Sequence, residues 1–177
     1  KKLCEAWKGA FADFPKVEVV NDLFQKVPEY DCMVSAANSF GLMDGGIDGA
    51  ITGYFGHQLQ TRVQQHILDN YLGEQAVGTS FIIETGHHNH PYLAHTPTMR
   101  VPMPINGTDA VYLAMRAMLL AVYQFNKVEK RIHTMLCPGL GTLTGKVSPN
   151  DAAYQMALAY QTVAFPPEEI NWRMAVG

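Results

Sequence analysis

The stretch Asp31-Cys32-Met33-Val34-Ser35-Ala36-Ala37, continued by Asn38-Ser39 and a glycine-rich loop from Gly41 to Gly46, decides the reading of the fold. A near-continuous apolar run that ends in small residues is the pattern of a strand buried on both faces. A helical stretch from Ile47 to about Leu72 follows the loop. Gly53 and Gly56 interrupt its early part, each costing about 1 kcal/mol against alanine, and Gly73 is placed to stop it. Strand, glycine loop and helix in that order make one β-α unit.

Working outward, the same order recurs near the other end. Ile132–Cys137 reads as a strand, Gly139 to Gly145 as a second glycine loop, and Asn150 or Asp151 opens a helix that runs to about Val163, stopped by Pro166-Pro167. Between the two units, Thr79–Ile83 and Tyr92–His95 read as strands joined by Gly86-His87-His88-Asn89-His90. Thr108 and Asp109 cap a strongly apolar helix from Ala110 to about Phe125. Upstream, Leu3, Cys4, Trp7, Ala10 and Phe11 recur at helical spacing, and after Pro15 the run Val17-Glu18-Val19-Val20 reads as a short strand. Strands alternating with helices predict an α/β fold, a three-layer α/β/α sandwich with a mixed central sheet, as one domain over residues 1–177. The chain opens Lys1-Lys2 without an initiator Met, so an additional domain in a longer protein is expected to be compatible with it.

Composition narrows the function. The 177 residues carry a formal net charge of −3 and no basic block. Binding to extended nucleic acid needs clustered cations, so it is not expected, whereas a single nucleotide can be held by main-chain amides alone. The longest apolar run, Ala110–Val122, is broken by Arg116, so no membrane segment is expected. Three widely spaced cysteines, Cys4, Cys32 and Cys137, predict buried reduced thiols and a cytoplasmic setting. His87, His88 and His90 lack cysteine partners and helical spacing, so they read as a surface loop, with no metal site or other cofactor expected. Trp7 and Trp172 read as packing residues, and Arg100 is given no role.

Each glycine loop lies between a buried strand and a helix start, where unpaired N–H groups and the helix dipole favour anions and glycine admits close approach. Two such loops in one α/β chain suggest a diphosphate or phosphate–sugar gripped from two sides, beyond the carboxyl ends of the strands. Gly139 to Ser148 approaches a Walker A loop, but the first glycine is misplaced and Val147 stands where a Mg²⁺-binding hydroxyl is required. Gly139, Gly141 and Gly145 also miss the G-x-G-x-x-G dinucleotide pattern by one residue.

A third nucleotide fold agrees at several places. Ser35-Ala36-Ala37-Asn38-Ser39 is similar to the N-A-A-N segment of the macro domain family, and Asp44-Gly45-Gly46-Ile47-Asp48-Gly49-Ala50-Ile51 resembles its loop ending in [VI]-D-G-A-I. Val20-Asn21-Asp22-Leu23 stands where that family carries G-D-I, and Cys137-Pro138-Gly139-Leu140-Gly141-Thr142 resembles its second loop. The matches run in family order from about Val17 to Val163. Asn21, Met43, Asp44 and Thr52 depart from the pattern, as does the absence of an aromatic in the second loop.

The resemblance implies binding of ADP-ribose, or of a metabolite or modification that carries it. The implied contacts are Asp22 and Leu23 for adenine; Ala37 and Asn38; Asp44, Gly45, Gly46, Ile47 and Asp48; and Gly139, Leu140, Gly141, Thr142, Leu143, Thr144 and Gly145. A signalling receptor is one implied role. The alternative is an ADP-ribosyl or O-acyl-ADP-ribose hydrolase in which Asn38 and Asp48 position water. Against these roles stand ordinary ones: an Asx-turn for Asn38, a turn cap for Asp22, and a dipole-complementing first-turn residue for Asp48.

Overall fold

The computed structural model describes residues 1–176. In chain order its elements are α1 (Lys2–Ala10), β1 (Cys32–Asn38), α2 (Gly46–Phe55), α3 (Gln58–Tyr71), β2 (Phe81–Glu84), β3 (Tyr92–Met99), α4 (Ala110–Val128), β4 (Met135–Leu136), α5 (Pro149–Ala164) and α6 (Trp172–Val176), with a single 3₁₀ turn at Phe24–Lys26. The sheet order is β2-β3-β1-β4. β1 is parallel to β3 and β4, while β2 runs antiparallel to β3. The expected α/β class with a mixed sheet between helical layers is therefore present.

Alternation along β1 shows why both faces are apolar. Cys32 and Val34 join a core with α4, α5 and Phe11, whereas Met33 points into a second core with Ile51, Leu59, Val63 and Ile67. Tyr92 and Ala94 divide from Leu93 in the same way on β3. A side-chain period of two, with a helical layer on either side, leaves no solvated face in the middle of the sheet.

Several local expectations are corrected. The stretch after the first glycine loop is two helices, because Gly56 sits at φ +100°, a value that ends α2 and suits only glycine. The last helix is capped by Ser148, whose Oγ accepts from Asp151 N at 3.2 Å, with Pro149 as its first residue; Asn150 and Asp151 are already helical. The third strand continues to Met99 through Pro97, which lies past the end of β2, where no ladder partner needs its missing N–H. Arg100 pairs with Glu74 and lies over the Phe40 ring at 5.1 Å. Trp7 packs on the core as expected, but Trp172 is 84% exposed.

Two further readings change. Val17–Val20 belongs to no regular element and makes no ladder, and the strand read at Ile132–Cys137 is regular only at Met135–Leu136. The three cysteines are free, with Cys32 buried and Cys4 and Cys137 partly buried. Among the described residues no helix is long and apolar enough to cross a membrane.

Candidate ligand-binding site

β1 and β4 are adjacent and parallel, so the glycine loops that follow them leave the sheet at the same end. The first loop is held by side chains. Asn38 Nδ2 donates to Leu42 O at 2.8 Å, and its Oδ1 accepts from Phe40 N at 3.0 Å and Leu42 N at 3.3 Å. That is the Asx-turn reading of this residue; one amide hydrogen remains for other use. Met43 is clamped from both sides: its N–H donates to Gln60 Oε1 at 2.7 Å, and its carbonyl accepts from Thr52 Oγ1 at 2.9 Å.

Beyond that clamp Asp44, Gly45 and Gly46 are exposed. Gly45 is the N-cap of α2, and its carbonyl receives the first helical bond, from Gly49 N at 2.9 Å. The amides of Gly46, Ile47 and Asp48 therefore precede any intrahelical acceptor. Together with the helix dipole they make this terminus one that favours an anion, and Gly45 and Gly46 face solvent.

Asp48 lies in the first turn of this helix but faces inward. It is 4% exposed, and its Oδ1 accepts from Ser35 Oγ at 2.6 Å. Burial pushes its carboxyl up to about 6, against the opposing pull of the Ser35 hydroxyl. A carboxyl poised near neutrality can exchange a proton under ordinary conditions.

The second loop is built differently. Gly141 is buried at φ +69°, and a Cβ there would lie 2.9 Å from Ile105 Cδ1, 3.1 Å from Val111 Cγ2 and 3.2 Å from Val147 Cγ2. Gly139 faces Leu3 and Thr142, and Gly145 is buried against Gly141 and Ile105. These glycines give the loop its tight packing, and the residues it presents outward lie between Gly141 and Gly145. Leu140 is fully buried; Thr142 is half-buried, and Leu143 and Thr144 are exposed. Gly141→Ala should consequently cost about 2–4 kcal/mol of stability, from left-handed backbone plus overpacking. Urea denaturation measures it, and an unchanged midpoint would contradict the packing described.

The remaining sequence candidates lie outside the two glycine loops. Asp22 and Leu23 are exposed; Asp22 Oδ1 accepts from Leu23 N at 2.8 Å and pairs with Lys26 at 3.6 Å, so its contacts are local. Ala37 is 3% exposed and forms part of the floor at the end of β1. The histidine segment is less superficial than its polarity suggests. His88 is exposed, but His90 is buried and stacked on Tyr30 at 3.7 Å, with His87 beyond it at 4.9 Å.

Three residues that shape the first loop had been given no such part by sequence: Ser35, Thr52 and Gln60. Thr52 stands four residues after Asp48, hence on the same side of α2, and that spacing was readable. Gln60 lies on the next helix, and only the fold brings it to Met43.

Comparison with solved structures places this architecture among macrodomains. The macrodomain of Mycobacterium tuberculosis DarG is similar with a TM-score of 0.66 at 18% identity, over 81% of this chain and 88% of that one. A variant of the Oceanobacillus iheyensis macrodomain solved with ADPR matches with a TM-score of 0.61 at 22% identity, over 80% and 73% of the two chains. The same organism's macrodomain with ADP gives 0.62 at 22% identity, over 77% and 69%. No curated protein matches the sequence significantly. The Macro domain family profile matches residues 34–156, from within β1 to the middle of α5 and across both glycine loops. On that match, over well more than half its length, the chain belongs to the macro domain family.

Proposed function

We propose that the chain binds ADP-ribose, or a metabolite or protein modification that carries it, between the loops that follow β1 and β4. The observation that carries this reading is the open amino terminus of α2: Gly45 and Gly46 are exposed, and three amides stand without helical acceptors at the carboxyl end of the parallel strand β1. In this reading the diphosphate lies against Gly45, Gly46 and Ile47, with Thr142, Leu143 and Thr144 closing over it. Asn38 offers its remaining amide hydrogen to a ribose hydroxyl, and Asp22 with Leu23 receives adenine. Gly139, Gly141 and Gly145 serve by shaping the second loop, on the floor that Ala37 and Leu140 provide. The Oceanobacillus iheyensis relatives solved with ADPR and with ADP support the same ligand class. Three free thiols support a reducing, cytosol-like setting.

Isothermal titration should show ADP-ribose binding at least about 10-fold more tightly than AMP, since the distal phosphate and ribose add charge-assisted contacts. Equal affinities would overturn the two-loop site.

A hydrolase is the second reading, favoured by the Asp48 carboxyl held up to about 6 in the first turn of α2. The enclosure of that carboxylate behind Ser35 weighs toward binding, because a water-positioning oxygen needs access to the ligand. Incubation with an ADP-ribosylated protein separates the two: released ADP-ribose supports hydrolysis, and retained label with measurable binding supports a receptor.

A further inference from the structure

Among the described residues, three other than glycine hold a positive φ: Leu72 at 54°, Lys130 at 50° and Lys146 at 54°. Leu72 is the C-cap of α3, and Lys130 follows the C-cap of α4, so both take the left-handed conformation that commonly ends a helix. Lys146 ends no helix. It follows Gly145 and stands two residues ahead of Ser148, the N-cap of α5. The left-handed region is strained for any residue with a β-carbon. A cation at that place is also unfavourable to α5, whose amino end carries partial positive charge. No ion pair offsets these costs: Lys146 is exposed, and among the described residues its ammonium pairs with no carboxylate. A residue that breaks two local rules without gain to the fold marks a functional position.

The charges of the two loops say what that function is. From Asn38 to Asp48 the first loop carries Asp44 and Asp48 and no cation. From Cys137 to Ser148 the second carries one charged residue, Lys146. A diphosphate brought between the loops adds negative charge beside two carboxyl groups, and Lys146 is the one fixed cation that either loop supplies.

Its place suits the task. Lys146 N donates to Leu143 O at 3.1 Å, closing a turn whose exposed tip is Leu143 and Thr144. On one side of it the Gly145 carbonyl accepts from Ile105 N at 2.8 Å; on the other, buried Val147 donates its N–H to Gly141 O at 3.0 Å. The main chain is thus fixed before and after the lysine. The pair Gly145-Lys146 is also what brings Gly139–Ser148 close to a Walker A loop, in which lysine meets phosphate as a point charge.

We propose that Lys146 is the counter-charge of the diphosphate, donating from its ammonium to phosphate oxygens when the cleft is filled. The assignment rests on ADP-ribose being the ligand. On it, the left-handed backbone is retained for the direction it gives the ammonium.

Titration calorimetry with ADP-ribose on the whole chain and four variants tests the proposal. Lys146→Gln should weaken binding about 5- to 20-fold and make it less sensitive to salt. Lys146→Arg keeps the charge and should stay within about 3-fold of the wild type. Lys130→Gln removes the same charge from the other left-handed lysine, which precedes β4 whereas the loop follows it, and should change affinity by less than about 2-fold. Lys146→Gly should bind as weakly as Lys146→Gln while its melting temperature rises by about 1–3 °C, because glycine takes a positive φ without strain. A lysine that served only the fold could not lose affinity and gain stability together. Binding by Lys146→Gln at the wild-type level overturns the proposal. So does an equal loss in Lys130→Gln, since net charge alone would then set the affinity. A melting temperature that falls in both Lys146→Gln and Lys146→Gly overturns it too, by making the side chain structural. A wild type that takes up no ADP-ribose sinks the ligand reading and this assignment with it, whereas unchanged binding by Lys146→Gln sinks this assignment alone.

Discussion

Gly45→Glu should reduce ADP-ribose affinity by about 100- to 1,000-fold while leaving the domain folded. The backbone at Gly45 is extended, φ −141° and ψ 165°, a conformation open to any residue. A Cβ there would meet no heavy atom within 4 Å. The substitution therefore adds no clash, and a carboxylate at the start of α2 even complements the helix dipole. Its effect falls on the ligand. A second negative charge about 4 Å from a phosphate costs on the order of 4 kcal/mol at an effective dielectric constant near 20. Gly45→Ala adds bulk without charge and separates the two contributions. Titration calorimetry and circular dichroism on both variants decide the matter. Undiminished binding by folded Gly45→Glu would place the ligand elsewhere, and loss of the helical signal would make Gly45 structural.

Gly141 shows why the two loops, alike on paper, need different tests. The sequence presents both as glycines between a strand and a helix, but nothing local reveals that Ile105, Val111 and Val147 close around the second. What was legible came from patterns that the fold repeats locally: the apolar run of β1, the apolar α4, and glycine loops after parallel strands. Less legible were features set by partners distant in sequence. Val17–Val20 has the β-branched composition of a strand, yet a ladder requires a neighbour, and in this structure it borders a cavity. His90 looked solvated because its neighbours are polar, whereas the fold stacks it on Tyr30, sixty residues away in the chain. Asn38 and Asp48 were found by resemblance, but their engagement by Leu42 and Ser35 is a matter of geometry.

The stabilisation produced by Asp48→Asn should be about 1–3 kcal/mol greater at pH 8 than near pH 3. Burial raises this carboxyl from 3.8 to about 6 in the folded chain. Above pH 6 both folded and unfolded states carry the charge, and only the folded state bears the cost of keeping it out of water. Between pH 6 and 4 the folded state takes up the proton first, so this group's contribution makes the protein more stable as pH falls. Below about 3.8 both states are protonated and the cost disappears. Asparagine keeps an oxygen that can accept the Ser35 hydroxyl and removes the charge at every pH, although its new N–H₂ must find a partner, which trims the gain. Other carboxylates titrate alike in both proteins and cancel in the difference. The same carboxyl links stability to binding. A diphosphate at the start of α2 would repel the ionised form, so ADP-ribose should bind more tightly at pH 5.5 than at pH 8, and Asp48→Asn should flatten that dependence. Thermal melts of the two proteins across pH 3–8 check the first part and calorimetry checks the second. Parallel stability profiles would mean that Asp48 is ionised at little cost, with no raised carboxyl to serve either ligand or proton transfer.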